Sequence, residues 1–222
     1  MAEKLLNDEI IGQIKEIFAH LDQNVSMLFF GEESCDYCDD TLQLLEEVEV
    51  LSEKLSLATY DLDKDAEIAE KYRVDKAPGI VMVGNDGENL TDYGVRYAGI
   101  PSGHEFSSLI NDLIRVSQRD SGLSEQTRAQ LKNIKAPVHL MVFVTPTCPY
   151  CPQAVLLAHQ LAMESPLIEA EMVEATEFPE LSNRYNVSGV PQTTINYGAG
   201  TVVGAVPEGH LLAEILRSAV PA

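Results

Sequence analysis

Basic side chains are scarce in this chain: 15 Lys and Arg stand against 35 Asp and Glu, a formal net charge of −20. Phosphate is repelled at long range by such a surface, which excludes nucleic acid and anionic membranes as partners. Uninterrupted apolar runs of membrane-spanning length are also missing. The stretch from Met1 to Asp22 is broken by Glu3, Lys4, Asp8, Glu9, Lys15 and Glu16, so it lacks the core of a secretory signal, and a cytoplasmic location is expected. Only four cysteines occur in 222 residues, too few for a disulfide-stapled scaffold. At 45% hydrophobic and 23% charged residues, the composition is that of an ordinary soluble protein.

What is present is arranged as a repeat. The four cysteines form two C-x-x-C pairs, Cys35/Cys38 and Cys148/Cys151, 113 residues apart. The segment from Tyr72 to Pro78 matches that from Tyr185 to Pro191 at the same offset of 113. A cysteine pair and a proline 40 residues beyond it recur together, which reads as one unit duplicated within the chain. Two domains follow, 1–118 and 119–222, with the polar run from Gln118 to Ser124 as the boundary. The halves differ in charge, net −16 for residues 1–118 and −4 for 119–222.

Apolar periodicity alternates between helix and strand, placing the chain in the α/β class. An amphipathic helix within Leu5–Leu21 precedes a buried strand at Val25–Phe30 that ends just before the first pair. Helices are expected from Cys38, at Ala66–Tyr72 and at Ser102–Gln118; strands at Leu57–Leu62, Gly79–Val83 and Tyr93–Tyr97, the last two around an Asn85-Asp86-Gly87 turn. The second half repeats the order: helices at Leu123–Ile134, Cys148–Met163, Pro179–Tyr185 and Pro207–Ser218, strands at Val138–Val144, Leu167–Val173, Thr193–Asn196 and Thr201–Gly204. Gly103-His104 and Gly209-His210 lie 106 apart, so the second hairpin is shorter by seven residues.

Three-residue spacing at a helix start lets two sulfurs close a disulfide. Unpaired backbone N–H groups and the helix dipole there stabilise an attacking thiolate. Cys35 and Cys148, directly after their strands, are expected to be exposed nucleophiles; Cys38 and Cys151, one turn deeper, resolve the mixed disulfide. A zinc site or two inert buried thiol pairs are the alternatives. Zinc ribbons, however, space such pairs about 15 to 20 residues apart, and no metal is expected here.

Cys148-Pro149-Tyr150-Cys151 is similar to the glutaredoxin active-site sequence, and Val190-Pro191 matches the cis-proline of thioredoxin-fold proteins. With Gly99 to His104 and the related run from Ala205 to His210, nearly the whole chain resembles the two-domain protein disulfide oxidoreductases, also called glutaredoxin-like proteins. The resemblance implies two tandem thioredoxin-like domains, each a central mixed β-sheet flanked by helices, and an enzyme that reduces, forms or exchanges protein disulfides without a cofactor. It implies cis bonds at Pro78 and Pro191, with the backbone of Ala77 and Val190 pairing with a substrate strand. Tyr37 and Tyr150 are expected on the rims of the sites, or in the core. His104 and His210 are expected at exposed helix starts rather than in catalysis.

Implied partners are proteins carrying disulfides or dithiols and a thioredoxin-reductase-type flavoprotein. The alternative is a dedicated relay from such a flavoprotein to a peroxiredoxin-like partner. The chain departs from the thioredoxin pattern at three points. It has no Trp. Phe29 and Val142 replace the buried acid six residues before the first cysteine, so another group or water must move the resolving cysteine's proton. No Lys or Arg lies between Thr145 and Met163 to hold glutathione. Five acids, Glu32, Glu33, Asp36, Asp39 and Asp40, surround the first pair and none adjoins the second in sequence, so the first pair is expected to be the stronger reductant.

Overall fold

The structure, a computed structural model, describes residues 4–218. The first half runs α1 (Asp8–Phe18), β1 (Asn24–Gly31), α2 (Cys38–Glu49), β2 (Leu55–Asp61), α3 (Ala66–Tyr72), β3 (Gly79–Asn85), β4 (Leu90–Ala98), a 3-10 turn (Gly103–Glu105) and α4 (Phe106–Gln118). The second runs α5 (Glu125–Leu131), β5 (Val138–Val144), α6 (Cys151–Glu164), β6 (Ile168–Glu174), α7 (Pro179–Arg184), β7 (Gln192–Ile195), a 3-10 turn (Asn196–Gly198), β8 (Gly200–Val203) and α8 (Glu208–Ser218). The shorter second hairpin is visible in β7 and β8, four residues each against seven and nine in β3 and β4.

All eight strands belong to one mixed sheet in the order β2-β1-β3-β4-β6-β5-β7-β8. In each half the strand leading to the cysteines is central, parallel to one neighbour and antiparallel to the other. The halves join where β4 pairs in parallel with β6, Val95 to Ala98 opposite Ala170 to Val173. Gly94 makes this approach possible. Its φ is +75°, and a Cβ there would stand 2.6 Å from the carbonyl oxygen of Ile168.

Helices cover both faces, which is why β1 and β5 read as continuous apolar runs rather than alternating ones. On one face α1, α2, α4, α5, α6 and α8 bury a single cluster containing Val25, Met27, Leu45, Leu113, Val142, Cys151, Leu161 and Leu212. On the other, α3 packs on Phe30 and Val81, and α7 on Met141 and Phe143. Each fully buried side chain of this size contributes about 1.5–3 kcal/mol. At the seam, the α3/α7 face carries charge instead: Arg96 bonds both carboxylate oxygens of Asp92 at 2.8 and 2.6 Å, and Lys76 pairs with Glu171 at 3.1 Å. Among the described residues no helix is long and apolar enough to cross a membrane.

Candidate functional site

Both cysteine pairs are closed disulfides, Cys35–Cys38 with a Cα–Cα distance of 5.4 Å and Cys148–Cys151 with 5.5 Å. Cys38 and Cys151 are the first residues of α2 and α6, with Tyr37 and Tyr150 at the N-cap positions. The helix expected from Cys148 therefore begins three residues later. Proline explains the shift: with a start at Cys148, Pro152 would fall past the first turn and leave the Cys148 carbonyl without its N–H donor, whereas a start at Cys151 places Pro152 where no donor is needed. Cys35 and Cys148 instead sit in tight turns, their amides donating to the carbonyls of Glu32 and Thr145 at 3.3 and 3.1 Å.

The expected exposure of the two leading cysteines needs correction. Cys35 is half-buried and Cys148 only 7% exposed. The 3-10 turn of the first half docks on the loop leading to the second site. The amide of His104 donates to the Pro146 carbonyl at 2.9 Å, and a Cβ on Gly103 would collide with that oxygen at 2.3 Å. Tyr150 and Tyr37 stand on the rims, 69% and 44% exposed. Ala77–Pro78 and Val190–Pro191 are cis peptide bonds. Ala77 and Val190 pack partly buried against the cluster that holds the cysteines. His104 and His210 are exposed, in the turn before α4 and in the first turn of α8.

The surroundings of the pairs differ more than the sequence windows suggest. At the first site Glu32, Glu33, Asp36, Asp39 and Asp40 are all exposed. A cavity of about 500 Å³ lies beside Cys38, bordered by Glu32, Glu33, Asp39, Asp61 and Lys64. Lys64 and Asp61 pair there at 2.7 Å.

In the second half and the turn docked on it, Glu105 and Glu174 are buried and Glu177 is half-buried. Glu105, in the docking turn, is 1% exposed; Ser108 donates to one carboxyl oxygen at 2.6 Å and the other has no hydrogen-bond partner. Burial pushes its carboxyl up from 4.5 to about 7. Next to it a buried chain crosses the seam: Tyr97 donates to Asp112 at 2.5 Å, His159 of α6 meets the same oxygen through Nδ1 at 2.5 Å, and its Nε2 lies 3.1 Å from the Arg96 carbonyl. Glu174, 2% exposed, and Glu177 close the far side of the same half. Burial, reinforced by the neighbouring Glu174, likewise moves Glu177 up to about 7.

None of these three glutamates stood out in the sequence, although two signals point to them. At the offset of 106, Glu105 occupies the place of Leu211, a core residue 1% exposed, so an acid replaces a core leucine. At the offset of 113, Glu174 and Glu177 fall on Asp61 and Lys64, turning an ion pair into two acids. Among the described residues, no group of three or more His, Cys, Asp and Glu side chains is placed to hold a metal ion.

A family model described as a thioredoxin domain matches residues 138–217. The crystal structure of a protein disulfide oxidoreductase from Aeropyrum pernix superposes with a TM-score of 0.88 at 31% identity, covering 99% of this chain and 95% of that one. The N-terminal domain of the alkylhydroperoxide reductase AhpF from Enterococcus faecalis superposes with a TM-score of 0.85 at 27% identity over 97% of this chain and 100% of that one. An alkyl hydroperoxide reductase component of Staphylococcus aureus is 28% identical over 192 residues, 86% of this chain and 34% of that protein. The chain thus spans about a third of the length of the curated relatives it matches. Two thioredoxin folds fused through one sheet, each with a closed C-x-x-C disulfide at a helix start, and similarity along almost the whole length of the Aeropyrum enzyme lead to one assignment: the chain belongs to the tandem thioredoxin-fold protein disulfide oxidoreductases and is a thiol-disulfide oxidoreductase.

Proposed function

We propose that the protein reduces, forms or exchanges disulfides in other proteins through both pairs. Cys35 and Cys148 are the attacking thiolates, and Cys38 and Cys151 resolve. In the reducing direction the thiolate of Cys148 attacks a substrate disulfide, forming a mixed disulfide and releasing one substrate thiolate. Cys151 loses its proton and attacks Cys148, which restores the enzyme disulfide and frees the second substrate sulfur. Two electrons and two protons pass to the substrate. The observation that carries this reading is the pair of closed disulfides at the starts of α2 and α6, where backbone N–H groups and the helix dipole favour a leaving or attacking thiolate. The loops at Ala77–Pro78 and Val190–Pro191 offer backbone to an extended substrate segment, with Tyr37 and Tyr150 on the rims.

Glu105 takes the place of the missing buried acid at the second site. Its carboxyl lies on the turn that packs on α6 and on the loop before Cys148, and near neutrality it exists in both protonation states. In a dithiol-driven insulin-type reduction assay, Cys148→Ser abolishes most activity while Cys35→Ser retains a substantial part. Equal losses refute Cys148 as the principal nucleophile.

A second reading is favoured by the similarity to the alkyl hydroperoxide reductases of Staphylococcus and Enterococcus: a relay from a thioredoxin-reductase-type flavoprotein to a peroxiredoxin-like partner. Reduction of a peroxiredoxin far faster than of insulin, with the flavoprotein as electron source, selects this reading over the general enzyme.

A further inference from the structure

The segment that follows β4, Gly99 to Glu105, lies on the second half. A Cβ on Gly99 would stand 2.6 Å from Glu174 Cβ, and the Ile100 amide donates to Glu177 Oε1 at 2.8 Å. The His104 amide donates to the Pro146 carbonyl at 2.9 Å, and the turn at Gly103–Glu105 packs on α6. The segment reaches this place because β4 adds in parallel to β6.

Shifted back by 113 residues, Pro146, Glu174 and Glu177 become Glu33, Asp61 and Lys64, and α6 becomes α2. The backbone frames agree: Gly31 stands opposite Asp61 as Val144 stands opposite Glu174, and the amides of Asp65 and Phe178 donate to the carbonyls of Asp61 and Glu174 at 2.8 and 3.2 Å. Glu33, Asp61 and Lys64 all line the cavity of about 500 Å³ beside Cys38, with Asp39 and Leu42 of α2. The counterpart of β6 is β2, with Leu57–Tyr60 standing for Ala170–Val173. Among the described residues the outer edge of β2 pairs with no strand, and Leu55–Asp61 contains neither the Lys nor the Pro that blunts an edge. The first half therefore keeps open the place that in the second half holds a protein segment.

The lining decides what fits there. In the second half the counterparts of Glu32, Glu33, Asp39 and Asp65 are Thr145, Pro146, Pro152 and Phe178, and the occupant from Gly99 to His104 has no Lys, Arg, Asp or Glu. In the first half those four acids and Asp61 border the cavity, against Lys64 as its one base, already paired with Asp61 at 2.7 Å. Such a lining favours a cationic occupant. A second copy of this chain would offer its run from Gly204 to His210, which carries Glu208 and neither Lys nor Arg, so like charges would meet.

We propose that the β2 edge and the cavity beside Cys38 dock an extended, basic segment of a partner protein. The segment adds as a strand parallel to β2 and turns over α2, laying Lys or Arg side chains among Glu32, Glu33 and Asp39. Backbone pairing supplies affinity and the acids supply selectivity. That docking here presents a disulfide or dithiol to Cys35–Cys38 rests on the first pair being redox-active, as read above; the docking itself does not.

The test uses the full chain with both disulfides closed and two synthetic peptides built on its own Val95–Glu105 segment. One carries Ser102→Lys and His104→Lys, the other Ser102→Glu and His104→Glu. Fluorescence anisotropy at about 0.01 M salt is expected to show the basic peptide binding at least about tenfold more tightly, a preference that shrinks below about threefold at about 1 M, where screening acts within about 3 Å. On binding, hydrogen exchange slows at the amides of β2 and not at those of β8. Glu32→Lys with Glu33→Lys, both exposed side chains, removes the preference, whereas Glu125→Lys with Glu180→Lys, an equal change of charge on exposed positions of the second half, leaves it. Equal binding of the two peptides, no binding of either, protection at β8 in place of β2, or an equal loss in the Glu125/Glu180 variant overturns the proposal. Dimerisation of the chain alone with β2 protected overturns it too, since the occupant is then a second copy. Binding at β2 by a chain whose first pair never exchanges with a dithiol supports the docking and sinks the functional reading.

Discussion

Glu105→Gln tests whether the buried acid of the docking turn is as costly as its surroundings imply. In the folded chain the carboxyl is raised from 4.5 to about 7, so the folded state binds the proton more tightly than the unfolded one. Stability contributed by the neutral carboxyl is thus fully present below about pH 4.5 and is lost as pH rises through about 7. At about 1.4 kcal/mol per pH unit, the loss is about 3 kcal/mol. Glutamine cannot ionise, so it removes this dependence. It also places an amide where one carboxyl oxygen has no partner, a constant penalty of about 1–3 kcal/mol at any pH. The difference in unfolding free energy between variant and wild type is therefore expected to swing by about 3 kcal/mol in favour of glutamine between pH 4 and pH 8. Urea unfolding of the two proteins at these pH values, with both disulfides intact, measures it. A difference independent of pH refutes the reasoning, since all other titrating groups cancel in the comparison.

Two further outcomes follow from the same geometry. Gly94→Val drives a branched side chain into the Ile168 carbonyl at a position with φ +75°, so unfolding free energy is expected to drop by about 3 kcal/mol or more, read by urea denaturation; a drop below about 1 kcal/mol contradicts the packing at the seam. The five acids around Cys35 are exposed, whereas no acid adjoins Cys151 in sequence and Glu105 on the docking turn is buried, so raising salt from 0.01 to 1 M, which shortens the screening length from about 30 to about 3 Å, should shift the first pair toward a higher potential and leave the second nearly fixed. Thiol trapping at both salt concentrations measures this, and equal shifts rule out the distinction between surface and buried charge.

Much of the fold is legible because duplication puts each signal on the page twice. α3 and β5 run over the residues their periodicity and β-branched content mark, and both prolines for which the family resemblance implied cis bonds have them. The start of α6 is misread because apolar spacing does not register the missing N–H of Pro152. The larger omission is electrostatic. Counting charges along the chain finds five acids at the first pair and none at the second, whereas folding docks Glu105 of the first half on the loop before Cys148 and buries Glu174 at the end of β6 in the second half. Long-range pairing decides this, and it leaves only the faint trace of an acid standing where the repeat has a leucine or a lysine.

The parallel pairing of β4 with β6 has a consequence for how the two folds can live apart. Each of these strands is internal to the joined sheet, so among the described residues only β2 and β8 present free edges. Cutting the chain between α4 and α5 would uncover a new edge on both fragments, along with the Val95, Tyr97, Ala170 and Met172 side chains that face the shared core. Bare edges of this kind template pairing with other chains. An isolated half would be driven to self-associate, and evolution could not shed one redox centre by deleting its domain without first redesigning the strand that the other leans on.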